Sequence, residues 1–185
     1  EAGGSHDHAH GTIQLAIVGR QNVGKSTLVN QLAGSQRVIA SPVAGTTRDS
    51  IDQVVHSPEG RRFTLIDTAG NRRRGKIERG VEKMSVFSAI ISMRRADVAA
   101  ILIDAVEGIT DQDSHIAGYC QDYGLASMVL VNKWDLVEKD HRTADAFTRD
   151  LEDRWKFMRY APVVYISALT GQRASRVFDV AEKIY

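Results

Sequence analysis

Cysteine is almost absent from this sequence of 185 residues, in which Cys120 is the single example. One cysteine cannot form an internal disulfide, and it cannot supply the several thiolates of a cysteine metal cluster. Such low cysteine usage is typical of proteins that work in a reducing compartment. We therefore expect a cytoplasmic protein that is stabilised by its packed core.

Excess charge and long apolar runs are missing as well. The 24 Lys and Arg residues nearly balance 23 Asp and Glu residues, giving a net charge of +1. This balance excludes the whole chain as an electrostatic binder of nucleic acid or membrane surfaces. The longest apolar runs, such as Val98–Ile103, are far shorter than the roughly 20 residues of a membrane span. No basic start followed by an apolar stretch occurs, so we expect no signal peptide.

The first residues differ from the rest of the sequence. Residues 1–11 carry no large apolar side chain, and we interpret them as a flexible linker or an artificial remnant. Their alternating His6, His8 and His10 leave metal binding as a weaker alternative. Over the whole chain, 43% of the residues are hydrophobic, which is typical of globular proteins. Residues 12–185 are expected to form one domain.

From Ile13 onward, short apolar runs alternate with segments of helical periodicity. This alternation predicts a doubly wound α/β fold with a mostly parallel, six-stranded sheet. Pro58-Glu59-Gly60 indicates one hairpin and therefore one antiparallel edge strand. The predicted strands are Ile13–Val18, Gln53–Ser57, Arg62–Ile66, Val98–Asp104, Ser127–Val131 and Val163–Ile166, and the predicted helices include Lys25–Ala33, Val81–Met93 and Asp111–Asp122.

A glycine-rich loop follows the first predicted strand and opens the first helix. It reads Gly19-Arg20-Gln21-Asn22-Val23-Gly24-Lys25-Ser26, followed by Thr27, and fits the phosphate-loop pattern G-x-x-x-x-G-K-[ST]. Its glycines allow successive backbone N–H groups to point at phosphate oxygens, and the helix start adds positive charge. Lys25 is expected to reach the β- and γ-phosphates, and the Ser26 hydroxyl to bind Mg²⁺. The sequence therefore predicts a P-loop nucleotide-binding domain.

Two further segments suit the γ-phosphate and the metal ion. Asp67-Thr68-Ala69-Gly70 follows a predicted strand, so Asp67 can hold Mg²⁺ through a water molecule and the Gly70 N–H can sense the γ-phosphate. The polar loop Ser41–Asp49 contains Thr46 and Thr47, of which we favour Thr47 as a magnesium ligand and a contributor to catalysis.

The remaining motif selects the base. Asn132-Lys133-Trp134-Asp135 follows a predicted strand, and the Asp135 carboxylate can accept the N1–H and the N2 amine of guanine. Adenine has neither donor, and a site of this kind discriminates by about 10⁴-fold. Ser167-Ala168-Leu169 follows the last strand and is predicted to complete the pocket with backbone donors to the guanine oxygen. Together the motifs predict GTP and GDP as ligands.

The order GxxxxGKS, GTTRD, DTAG, NKWD and SA resembles the Era-like GTPases, which have a Ras-like G domain. The segments Arg72–Lys76, Glu82–Val86, Arg95–Val98 and Ile103–Asp113 are similar to the second G domain of the bacterial double-Era-like family, Der (EngA). The resemblance covers residues 13–185. It implies a slow, potassium-stimulated GTPase that acts in assembly of the large ribosomal subunit, bound to that subunit or its rRNA and without a membrane.

The resemblance also implies further partners and leaves alternatives. Members of the family carry a first G domain and a KH-like domain, which this sequence lacks, so we expect an excised domain. Potassium-activated members have an asparagine at the position of Asn22, which is therefore a predicted K⁺ ligand.

Asn71 departs from the family pattern and is expected not to be catalytic. Arg72–Arg74 form either an RNA or domain contact or a solvated loop. A tRNA-modification GTPase of the MnmE type and a non-hydrolysing guanine-nucleotide regulatory module remain alternatives.

Overall fold

The computed structural model describes residues 11–34, 42–44, 51–66, 68 and 81–185, with the backbone alone at 42–44, 51 and 81–85. The predicted linker therefore lies outside the described residues apart from Gly11. Strands and helices alternate as the sequence predicts. They are β1 Ile13–Val18, α1 Lys25–Gly34, β2 Pro42–Ala44, β3 Ile51–His56, β4 Arg62–Leu65, α2 Val81–Met93, β5 Val98–Asp104, α3 Asp111–Asp122, β6 Ala126–Asn132, α4 Thr143–Arg154, β7 Val163–Tyr165 and α5 Arg176–Ile184.

The described strands form one sheet in the order β2-β3-β4-β1-β5-β6-β7. The predicted doubly wound fold is confirmed, with all six predicted strands present and β3 as the antiparallel strand among them. One detail differs, because the short strand β2 pairs outside β3, so β3 is not the edge. Three residues are too few to show the alternation by which a strand is found in a sequence.

Residues that alternate along the strands separate into two cores, one on each face of the sheet. In β5, Val98, Ala100 and Leu102 pack with α1 and α5, whereas Ala99, Ile101 and Ile103 pack with α2, α3 and α4. Every residue of β5 is buried, as expected for a parallel strand that is covered on both faces. This double cover fixes where the carboxyl ends of the strands lie, and the loops that follow them share one edge of the sheet.

Two local patterns of the sequence, the Pro58-Glu59-Gly60 turn and a capping box between Thr110 and Asp113, are confirmed in the loops. The β3–β4 hairpin turns at Gly60, whose φ of +87° favours glycine, and the Ser57 N–H donates to the Arg61 carbonyl at 2.8 Å. At the start of α3, the Thr110 side chain accepts from the Asp113 N–H and the Asp113 carboxylate accepts from the Thr110 N–H at 2.9 Å. This reciprocal capping box ends the loop after β5 at a defined point.

Ala144, Phe147, Leu151, Trp155 and Met158 fall at helical spacing in the sequence, which predicts one helix, but this helix is interrupted in the structure. Helix α4 ends at Arg154, and residues 156–158 form a separate short helical turn. The backbone of Trp155 leaves helical geometry, with φ −111° and ψ 57°, and its indole donates to the Ser114 hydroxyl at 2.8 Å. Anchoring of the buried indole to α3 therefore replaces the next turn of α4.

The sequence favours Cys120 as a small core residue and Trp134 as a packing residue, and burial confirms both. Cys120 is fully buried on α3, and burial raises the pKa of its thiol to about 12. Trp134 is 6% exposed, so it is a packing residue and not a platform for stacking of RNA bases. Within the described ranges, no helix combines the length and the apolar character needed to cross a membrane.

Candidate nucleotide-binding site

The glycine-rich loop lies between the carboxyl end of β1 and the start of α1. Asn22 has φ +64° and Gly24 has φ +104°, so the chain curls before the Leu28 N–H closes the first helical bond onto the Gly24 carbonyl at 2.9 Å. The ammonium of Lys25 folds back over the loop and donates to the carbonyls of Gly19, at 2.7 Å, and Arg20. The positive charge is thus held at the loop by the chain itself, where an anionic phosphate can meet it.

The glycines are required by what packs behind the loop. A Cβ at Gly24 would lie 2.3 Å from Nδ2 of Asn132, and one at Gly19 would lie 2.7 Å from the carbonyl oxygen of Leu102. Both distances are impossible for real side chains. The sequence pattern explains these glycines by the curvature of the loop. The structure adds a second reason, because β5 and β6 approach the loop too closely for a side chain.

The side chain of Asn132 joins three segments that are far apart in the sequence. Its Nδ2 donates to the Val23 carbonyl at 2.8 Å, and its Oδ1 accepts from the Ala168 N–H at 2.9 Å. Asn132 is 2% exposed, so both bonds are shielded from water. The amide therefore fixes the phosphate loop against the loop after β7, and it uses the Ala168 N–H that the sequence pattern assigns to the guanine oxygen.

The structure gives Lys133 a second set of contacts. Lys133 adopts the left-handed conformation, with φ +62°, and its ammonium donates to the Asn22 carbonyl at 2.9 Å. It also forms an ion pair of 2.6 Å with Asp104 at the end of β5. Lys133 thereby connects the predicted base-recognition segment, Asn132–Asp135, to the rim of the phosphate loop.

Asp104 has a role that the motif analysis missed. Its carboxylate accepts from the N–H groups of Val106 and Glu107 at 2.8 and 3.2 Å as well as from Lys133. Burial by itself would raise the pKa of Asp104, but the hydrogen bond from Lys133 and the two backbone donors outweigh it and hold the pKa below its ordinary value. The signal available in the sequence was a carboxylate at the end of a fully apolar strand, between two motif-bearing strands.

The side chain of Arg20 faces the protein rather than the loop opening. Its guanidinium lies 2.6 Å from Glu107 and 3.4 Å from Asp113, whose side chain is fully buried at the start of α3. Asp113 therefore has two functions, since the same carboxylate also caps α3. Glu107 and Asp113 consequently bind Arg20 of the phosphate loop, and Asp104 at the end of β5 binds Lys133 of the base-recognition segment.

Asp135 and Leu169 are the exposed members of the predicted base pocket. Asp135 lies in the short helical turn Trp134–Leu136, and Leu169 is 77% exposed. Ser167, by contrast, is fully buried and its hydroxyl accepts from the Thr170 N–H at 3.2 Å, which shapes the turn after β7. An exposed carboxylate on this short turn can accept both guanine donors.

The described residues include most of the predicted site. Six predicted residues lie outside the described residues, namely Thr46, Thr47, Asp67, Ala69, Gly70 and Asn71. Thr68 is buried, three residues beyond the end of β4. The other predicted residues lie at the end of β6, in the loops that follow β1, β6 and β7, or in the first turn of α1. They are Gly19, Arg20, Gln21, Asn22, Val23, Gly24, Lys25, Ser26, Thr27, Asn132, Lys133, Asp135, Ser167, Ala168 and Leu169.

Comparison with known proteins identifies the class. A family model described as 50S ribosome-binding GTPase matches residues 14–133. The chain belongs to this family of GTPases.

The curated relatives are more specific. The chain is 47% identical to GTPase Der of Acetivibrio thermocellus over 180 residues, which are 97% of this chain and 41% of that protein. It is 51% identical to GTPase Der of Chloroflexus aggregans over 173 residues, which are 94% of this chain and 38% of that protein. The resemblance to Der seen in the motifs is confirmed, and the chain spans about two fifths of the length of these relatives.

Solved structures agree on the fold. Era in complex with MgGDPNP and nucleotides 1506–1542 of 16S ribosomal RNA matches with a TM-score of 0.70 and 29% identity, covering 94% of this chain and 56% of that one. A variant of Aquifex aeolicus Era bound to GDP·AlF4− matches with a TM-score of 0.69 and 28% identity, covering 94% and 56% of the two chains. The predicted Era-like G-domain fold is thus confirmed.

Substitution of Gly24 by Ala tests the close approach of the two loops. The new Cβ would meet Nδ2 of Asn132 in a backbone conformation that disfavours any side chain, so we expect calorimetry to show GDP affinity at least about 100-fold weaker. Gly118→Ala is the matched control, because a Cβ on this helical glycine meets nothing within 4 Å. The control should bind GDP normally, and normal GDP binding by Gly24→Ala would contradict the packing described here.

Asp104→Asn tests the ion pair with Lys133 through its dependence on pH. Because the pKa of Asp104 is lowered from 3.8 in the folded protein, its contribution to stability is present above that value and is lost as the pH falls through the folded pKa. Urea unfolding should show the variant about 2 kcal/mol less stable than the parent at pH 7, and this difference should shrink toward pH 3. Asp122→Asn, at an exposed position, should show no such difference, and a pH-independent loss for Asp104→Asn would refute the assignment.

Proposed function

We propose that this chain is a GTP-binding and GTP-hydrolysing switch domain. The observation that carries the proposal is the position of the Asn132 amide, which binds the phosphate loop at Val23 and the loop after β7 at Ala168 through bonds of 2.8 and 2.9 Å. A nucleotide spans both halves, with phosphates at the glycine-rich loop and guanine at Asp135. A carboxylate at that point selects guanine because adenine offers it no donors.

The phosphate end of the site supplies electrostatic stabilisation. The backbone N–H groups of the loop and the ammonium of Lys25 bind the phosphates, and Lys25 is the residue that counters charge on the γ-phosphate during transfer. Ser26 follows Lys25 at the start of α1, and its hydroxyl oxygen is of the type that Mg²⁺ takes. When bound, the magnesium ion neutralises phosphate charge, and Asp67 and Thr47 are the further residues proposed to hold it.

The attacking water is proposed to be held by the switch segments. Thr47 and Gly70 position it through their backbone groups, whereas the side chain of Asn71 takes no part. Such positioning matters because an error of about an ångström costs roughly 100-fold in rate.

A potassium ion is proposed to take the place of an arginine finger. Asn22 is exposed on the rim of the phosphate loop in the left-handed conformation, and its carbonyl is already fixed by Lys133. Its side-chain amide oxygen suits a monovalent cation. When bound, the ion supplies positive charge beside the phosphate oxygens, and we therefore expect slow hydrolysis without it.

The wider role is proposed to be assembly of the large ribosomal subunit in the cytoplasm. The family model is described as 50S ribosome-binding, and the relatives at 47% and 51% identity are GTPase Der, which favours this role over tRNA modification of the MnmE type. The chain spans about two fifths of those relatives. A first G domain, a KH-like domain and the large subunit or its rRNA are the partners proposed for the longer protein.

Binding and turnover of GTP test the proposal directly. Calorimetry should show that the chain binds GDP and not ATP, and phosphate release from GTP should be at least about threefold faster in KCl than in equal NaCl. Asn22→Ala should remove the difference between the salts, whereas Gln121→Ala, exposed on α3, should retain it.

Three outcomes would contradict parts of this proposal. Equal affinity for ATP and GDP would refute guanine selection. GDP binding without phosphate release in either salt would replace the hydrolase with a regulatory module. Equal rates in the two salts, or a difference that survives in Asn22→Ala, would refute the potassium site.

A further inference from the structure

Lys139 lies four residues beyond Asp135, and its side chain turns back to the base-recognition segment. Its ammonium donates to the carbonyl of Trp134 at 2.6 Å and to the carbonyl of Val137 at 2.9 Å. The same nitrogen lies 5.6 Å from the centre of the Trp134 ring, a distance at which a cation is attracted to an indole. One side chain therefore contacts the residue before Asp135 in two ways.

Trp134 is fixed from its other side by the protein core. Its indole packs against Tyr165 and Phe147, with ring centroids 4.4 and 6.5 Å apart. Its backbone N–H donates to the Ile166 carbonyl at 3.1 Å, directly before the loop that completes the base pocket. Trp134 is thus held between an aromatic cluster in the core and Lys139.

The short turn Trp134–Leu136 that carries Asp135 is closed at its start by a bond of 3.0 Å from the Leu136 N–H to the Lys133 carbonyl, but its end is held only weakly. The bond from the Val137 N–H to the Trp134 carbonyl is 3.4 Å long, and a helical turn of three residues has poor hydrogen-bond geometry in any case. Lys139 adds a charge-assisted donor to that same carbonyl, and such bonds are about twice as strong as neutral ones. The ammonium therefore strengthens the end of the turn, where the backbone bond is long.

We propose that Lys139 is a positioning residue for guanine recognition, which it promotes by holding the turn that presents the Asp135 carboxylate. The inference rests on the proposed guanine-nucleotide function. A carboxylate that accepts the N1–H and the N2 amine together must be oriented, because both of its oxygens are engaged. When the turn loosens, one bond survives and the paired geometry is lost.

Hypoxanthine provides the discriminating ligand, since it keeps the N1–H of guanine and lacks the N2 amine. Calorimetry with GDP and IDP should show that the parent prefers GDP. In Lys139→Met, which keeps an apolar stem over the indole, we expect GDP affinity to fall about tenfold and IDP affinity by less than about threefold. Lys139→Arg retains charge and donors and should restore most of the preference.

Lys183→Met is the matched control, because Lys183 is exposed on α5, which packs on the other face of the sheet from the α4 core. It should leave both affinities unchanged. Equal losses for GDP and IDP in Lys139→Met would show a general structural role and overturn the inference, as would no loss at all. A parent chain that binds neither GDP nor GTP would instead refute the proposed function, and the inference with it.

Discussion

The site depends on one buried side-chain amide. Asn132 is the last residue of β6. Its side-chain amide donates to the Val23 carbonyl in the phosphate loop and accepts from the N–H of Ala168, which follows β7. In a site from which water is excluded, neither bond can be exchanged for a bond to solvent, so breaking either leaves an unpaired polar group. The positions of the two halves of the nucleotide site relative to each other are therefore fixed before a ligand arrives.

The sheet makes this arrangement possible by bringing the ends of its strands to one edge. The fully buried strand β5 lies between β1, which leads into the phosphate loop, and β6, which leads into Asn132. Charged residues at the end of β5 and beyond it contact both neighbouring segments. Asp104 pairs with Lys133, and Glu107 and Asp113 pair with Arg20. Ion pairs among these charged side chains thus hold the backbone that is proposed to bind the nucleotide, which is a form of preorganisation.

Much of the fold was predictable because its signals are local. The apolar strands, the phosphate loop and the capping box at Thr110 each show in a few consecutive residues, and all are found where expected. The interruption of α4 at Trp155 was not predictable, since it is caused by a bond to Ser114 on another helix. The short strand β2 escaped because three residues carry no periodicity.

The candidate site was predictable in its members and less so in their roles. A motif names the residues that converge, but partners such as Val23 and Ala168 for the Asn132 amide depend on distances across the sheet. The same limit applies to Asp104 and Lys139, whose partners lie in neighbouring segments that no short pattern includes. The partners of a residue depend on segments that are distant in the sequence, whereas motif spacing predicts only the strand or loop on which the residue lies.

The GDP affinity of Asn132→Ala shows whether the buried amide holds the two halves of the site together. Loss of two buried hydrogen bonds, each worth about 1–3 kcal/mol when a partner is left unpaired, predicts an affinity at least about 100-fold weaker in a chain that still folds. A folded Asn132→Ala variant that binds GDP within about threefold of the parent would contradict the account, because the two halves of the site would then be held together by something else.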